Sequence, residues 1–189
     1  MSFAQGRSQE ASSAISPTAP EAQLGVLRSH GDYSLVALGH TPAGSRIFGI
    51  DGRLTDVPSR HSVQVGHRLH VDLPHGMEYE DVLDAYFWRF MNHSCEPTAR
   101  IDGRQVVAVT DLLPGQEITF HYNTTEAAMA EPFDCRCGSE SCEGHIAGYY
   151  AATPAARLRL GPWLGRHLST TEDDLFADDG SAGADAVRR

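Results

Sequence analysis

The chain has 189 residues, 41% of them hydrophobic and 21% charged, with a formal net charge of -10 at neutral pH; this suits one domain with a real core. That charge, with no run of cations, speaks against a nucleic-acid-binding surface, which needs clustered positive groups to neutralise phosphates. No stretch approaches the apolar length of a membrane helix, and "MSFAQGRSQEASSAISPTAPEAQ" lacks the apolar core of a secretion signal, so a soluble, cytoplasmic protein is expected.

Residues 1–22 are rich in Ser, Ala, Pro and Gln and are expected to form a flexible tail, as is the acidic stretch 171–189. Between them the pattern is mainly β. "YSLVALG" and "SRIFGI" read as short strands separated by the turn "HTPAG". "SVQVGHRLHVDL" alternates apolar and polar positions like one half-buried strand.

"YEDVLDAYFWRFM" carries Val82, Tyr86 and Phe90 at helical spacing, which predicts a short helix leading into "NHSC". "ARIDGRQVVAV" predicts a hairpin closed at Asp102-Gly103 as a type I′ turn. A second turn at Pro114-Gly115 leads to a strand ending on Phe120, His121, Tyr122 and Asn123. "AARLRLGPWLGRHL" reads as helix interrupted at Gly161-Pro162.

The four cysteines are Cys95, Cys135, Cys137 and Cys142. "CRCGSESC" puts three thiols around a bend at Gly138, and Cys95 is left to supply the fourth corner of a tetrahedral zinc site. The bland alternative is four reduced structural thiols, and His145 is a possible substitute for one thiolate. Neither a Cys₂His set nor an H-E-x-x-H motif points to a catalytic metal. Glu117, His121 and Asp134 accompany no nucleophile motif and read as ordinary polar positions.

Three motifs in order, "RFMNHSCEP", "ITFHYN" and "CRCGSESCEGHI", resemble those of the SET-domain protein-lysine methyltransferases with a post-SET cysteine segment. The resemblance implies a SET-domain fold of small curved β-sheets with short helices. In it a C-terminal strand is threaded beneath a loop as a pseudoknot, against the usual absence of threading. It divides the chain into a SET domain at 23–130, a zinc-bound post-SET segment at 131–150 and a helical extension at 151–170.

The resemblance also implies S-adenosylmethionine as cosubstrate, held by Arg89, Asn92 and His93. Gly31 and Tyr33 stand where the family has a glycine-rich loop, and Ile146, Tyr149 or Tyr150 stands where it covers the adenine. Tyr122 matches the catalytic tyrosine. Phe120 matches the position that carries Phe or Tyr, and Phe, lacking a hydroxyl, leaves room for more than one methyl group.

The chain departs from the family at Thr98, where an Asn usually braces the loop, and at Tyr33, where a second Gly is usual. The implied partner is a basic protein or peptide presenting a lysine, bound by a monomer. The alternative is a catalytically weak or inactive SET-like protein-binding module. All fifteen cationic residues of the chain are arginine, so a lysine methyltransferase of this sequence cannot modify its own side chains.

Overall fold

The computed structural model describes residues 22–169, so the two expected tails lie outside the described residues apart from Ala22. The first two strands, β1 (Leu24–Ser29) and β2 (Asp32–Ala37), form an antiparallel hairpin. His30 and Gly31 close it with φ of 52° and 96°, the paired positive values of a type I′ turn. Gly31 is therefore a turn residue, with no atom within 4 Å of the space a side chain would fill.

Two three-stranded antiparallel sheets follow. One joins β3 (Arg46–Gly49) to the later hairpin; the other contains β4 (Arg53–Thr55), β5 (Val63–Gly66) and β6 (Leu69–Asp72), with β6 central. "SVQVGHRLHVDL" is thus two strands, not the expected one. The chain reverses at His67 and Arg68, where Arg68 takes φ of 50°, a left-handed conformation that no glycine announces.

Helix α1 (Tyr79–Ala85) stops earlier than expected, at Tyr86, and a 3-10 turn, Phe87–Phe90, continues the chain. Tyr86, Trp88 and Phe90 are all buried. A continuous α-helix would turn Trp88 to the face opposite Tyr86; the break lets all three enter the core, with Trp88 Nε1 donating to Asp51 O at 2.9 Å.

The two-residue strand β7 (Asn92–His93) leads to the hairpin of β8 (Ala99–Asp102) and β9 (Gln105–Ala108), whose β9 pairs with β3. Asp102 pairs with Gln105, so the turn centres on Gly103-Arg104. This is one residue later than expected. Only Gly103 has positive φ, at 60°, the type II′ pattern rather than I′.

The remaining strands are β10 (Thr119–Phe120), β11 (Phe133–Asp134) and β12 (His145–Ile146). Helices α2 (Pro154–Leu160) and α3 (Arg166–Ser169) close the described chain, separated by the expected interruption at Gly161–Trp163. Leu35, Ile47, Ile50, Val71, Val106, Leu112 and Ile118 are wholly buried between the sheets, each contributing about 1.5–3 kcal/mol of apolar burial. Among the described residues, no helix is long and apolar enough to cross a membrane.

Candidate active site

The site is built where β7 and β10 run parallel, pairing Asn92 with Thr119 and Phe120 with His93. Thr98 braces this crossing. Its hydroxyl donates to Glu117 O at 2.9 Å and accepts from Thr119 N at 2.9 Å, while Thr98 N donates to Thr119 Oγ1 at 3.2 Å. The substitution that departs from the family motif thus leaves the crossing tied at three points.

Tyr122 lies just past the end of β10, in a 3-10 turn spanning Tyr122–Thr124, and not on the strand as expected. The turn swings its ring back over the strand, 4.7 Å from that of Phe120. The hydroxyl donates to Met91 O at 3.0 Å. Burial pushes its pKa up to about 12, against the opposing pull of Arg89, so near pH 7 Tyr122 is a neutral donor.

Beside the two rings is a cavity of about 50 Å³ lined by Trp88, Arg89, Met91, Phe120, Tyr122 and Glu126, with Ser59–Val63 and Met129–Glu131 completing the wall. It has room for the end of a side chain and not for a nucleoside.

The candidate cofactor residues divide. Asn92 and Tyr33 are brought together: Asn92 Nδ2 donates to Tyr33 O at 2.9 Å and to Glu117 Oε1 at 2.8 Å, committing both of its hydrogens. Arg89 reaches the cavity, where burial lowers its pKa despite the nearby Asp72. Gly31 stands at the hairpin tip. Ile146 is wholly buried on β12, opposite Phe133, so its side chain offers no free surface to an adenine; Tyr150 is exposed, and Tyr149 carries the Arg157 guanidinium over its ring.

His93 faces inward. Its Nδ1 accepts from Tyr122 N at 3.3 Å, which puts the ring proton on Nε2, 3.3 Å from Cys95 Sγ. Burial, with His121 nearby, lowers its pKa to about 3, so the ring is neutral.

The sulfurs of Cys95, Cys135, Cys137 and Cys142 converge, all lying within 4.8 Å of one another. Cys95 and Cys135 sulfurs are 3.9 Å apart, close to the ~3.8 Å tetrahedral edge implied by zinc–sulfur bonds of about 2.3 Å. Four thiols so placed fit a metal ion. Burial raises the Cys135 thiol to about 11, whereas at Cys137 burial is outweighed by several hydrogen bonds together, that of the Ser139 hydroxyl foremost, which hold the thiol at about 6. His145 instead meets Asp134 at 3.0 Å.

Of the groups that read as ordinary polar positions, Glu117 and His121 take part in the site, as does Glu126, which the sequence does not single out, whereas Asp134 pairs with His145. Glu117 holds Asn92. His121 is buried and meets His93 edge to face, with ring centroids 4.6 Å apart, and these two rings with Cys95 form a second group of converging ligand atoms. Glu126 lies in the cavity wall. No local pattern marks them, because their partners are distant in sequence.

A family model for the SET domain matches residues 32–123. Methyltransferase flvH of Aspergillus flavus is 33% identical over 171 residues, covering 85% of this chain and 84% of that protein. The chain belongs to the SET-domain methyltransferase family. Another relative, the histone-lysine N-methyltransferase ASHH2 of Arabidopsis thaliana, is 43% identical over 68 residues, and this SET-domain chain spans only 4% of its length. The fold matches the methyltransferase domain of human SETMAR with a TM-score of 0.52 and 18% identity, over 68% of this chain and 59% of that one. It also matches KRYPTONITE, solved with DNA and SAH, with a TM-score of 0.51 and 23% identity, over 68% of this chain and 30% of that one.

Proposed function

We propose that the protein transfers methyl groups from S-adenosylmethionine to the side-chain amine of a lysine in a basic protein or peptide, acting as a monomer. The observation that carries this is the Tyr122 hydroxyl, held by Met91 O at the wall of a cavity sized for a side-chain end.

The cosubstrate supplies an electrophilic methyl group for an in-line displacement. For such a transfer alignment and electrostatics do most of the work. Tyr122 orients the nitrogen, and in so narrow a cavity a second cation beside the sulfonium of the bound cosubstrate is disfavoured, which favours loss of the amine's proton once both are in place. Phe120 leaves the cavity without a hydroxyl at its position, supporting more than one round of methylation. Arg89, Asn92, His93, Gly31 and Tyr33 are assigned to cofactor binding. Since both Asn92 amide hydrogens are engaged, its Oδ1 is the side-chain group left for a ligand.

The four thiols hold one structural zinc, which clamps the 131–150 segment against the Asn92–Cys95 loop. The test is transfer of labelled methyl groups to a panel of basic proteins under zinc-replete conditions. Wild type is expected to label lysine and Tyr122→Phe to fall about a hundredfold or more. No labelling by wild type overturns the reading.

A second reading, a binding module without turnover, draws on the engagement of Asn92 by Tyr33 and Glu117. Calorimetry with S-adenosylmethionine separates them: a module that has lost its cosubstrate gives no binding heat.

A further inference from the structure

The wall of the cavity beside Tyr122 includes an acidic residue, Glu126, for which the methyl transfer itself has no use. Glu126 is only 7% exposed, yet lies in the cavity wall with Phe120, Tyr122, Trp88 and Met91. It is fixed there from two directions. Its Oε1 accepts from Gln64 N at 2.7 Å, and the Gln64 side chain in return accepts from Ala127 N at 2.9 Å. Its own backbone N donates to Tyr122 O at 2.9 Å, one turn after the tyrosine.

Among the described residues, the ion pairs give this carboxylate no arginine partner. Its ion-pair neighbour is His70, whose Nε2 stands 3.8 Å from Oε2, and burial lowers the His70 pKa, keeping that ring neutral. Arg89, also in the cavity wall, has Asp72 and Tyr122 as favourable electrostatic neighbours. Arg60, at the rim, pairs with Glu131 at 3.6 Å. A buried carboxylate without a cationic partner is costly to keep, and the cavity is where a cation can reach it.

We propose that Glu126 is the substrate-binding group for the incoming ammonium, selecting a cationic side-chain end and holding it beside Tyr122 and Phe120. This rests on the reading of the cavity as the seat of the accepting amine. The ligand class is a primary alkylammonium on an unbranched stem: the aromatic and methionine walls take the methylenes and Glu126 takes the charge.

The probe is n-butylammonium, which copies the end of a lysine side chain, with n-butanol as its neutral counterpart, each titrated by NMR without cosubstrate. In wild type, the Glu126 side-chain carboxyl resonance is expected to move with n-butylammonium and not with n-butanol. Glu126→Gln keeps the acceptor for Gln64 N. It should weaken n-butylammonium binding by about tenfold to a hundredfold and leave n-butanol unchanged.

Failure of n-butylammonium to bind wild type, or equal binding by Glu126→Gln, overturns the proposal. So does a Glu126→Gln protein that keeps n-butylammonium and loses S-adenosylhomocysteine, which would assign the carboxylate to the cofactor's own amine. The wild-type carboxyl resonance decides the matter even if the variant folds poorly. Because no turnover is involved, a negative result here is distinct from a failed methylation assay.

Discussion

The backbone N–H of Tyr122 points at Nδ1 of His93, 3.3 Å away, and the opposite nitrogen of the same ring stands 3.3 Å from Cys95 Sγ. One imidazole therefore spans the distance between the candidate catalytic tyrosine and the thiol cluster. Removing it in His93→Ala leaves the Tyr122 N–H without a partner, at a cost of about 1–3 kcal/mol. It also frees the ring to shift, and a displacement of about 1 Å is enough to slow a positioned reaction roughly a hundredfold. Urea unfolding and single-turnover methyl transfer measure the two effects separately.

Phe120→Tyr adds a hydroxyl to a cavity of about 50 Å³. The expected result is a product distribution shifted to monomethyllysine, read by mass spectrometry of the labelled substrate. A cost of about 1–3 kcal/mol should appear in thermal unfolding if the new hydroxyl finds no partner.

Chelation should release one metal ion per chain and loosen the segment from Phe133 to Gly148. Cys95→Ser should weaken metal binding by more than about a hundredfold, exceeding what loss of an outer partner costs. Metal analysis gives the first result and hydrogen exchange of that segment the second.

Gly148 fastens the same segment to the core. Its φ is 102°, its N–H donates to Asn123 Oδ1 at 2.9 Å, and an added Cβ would meet Ala128 Cα at 2.6 Å. Both the backbone conformation and the contact exclude a side chain, so Gly148→Ala is expected to cost about 2–4 kcal/mol. Denaturant midpoints check it.

Burial raises the Glu126 pKa from 4.5 to about 7. Between these values the folded protein retains a proton that the unfolded chain has released, so stability falls as pH rises through that window. Glu126→Gln carries no such proton. Its stability relative to wild type should therefore rise between pH 4.5 and about 7 and then level off, by roughly 3 kcal/mol. His167, lowered by burial, runs the other way but is common to the two proteins. Urea unfolding at several pH values gives the difference directly.

The parts of the site that could be read in the sequence are those whose chemistry is local. "CRCGSESC" announces ligands by spacing, and the resemblance to the SET family implies that the Tyr122 strand lies beside "NHSC". What could not be read depends on partners far along the chain. Glu126 looks like any acidic residue after two threonines until Gln64, 62 positions away, supplies an amide to it. The reversal at His67-Arg68 and the break at Tyr86 are likewise imposed by burial on both sides rather than by a residue that forbids continuation. Thr98 shows the converse: a departure from a motif that local reading marks as a loss, and that three hydrogen bonds with Glu117 and Thr119 make good.

The parallel pairing of β7 with β10 has a consequence for synthesis. Asn92 and His93 leave the ribosome 27 residues before their partners Thr119 and Phe120, and Cys95 precedes Cys135 by 40 positions. A nascent chain halted between them holds half of each site and the whole of neither. Loop-closure entropy is spent before these contacts return anything, so methyl-transfer competence and metal capture should both come late, after the hairpin β8–β9 has formed. A fragment ending before Thr119 is then not a weakened enzyme but a protein without an active centre.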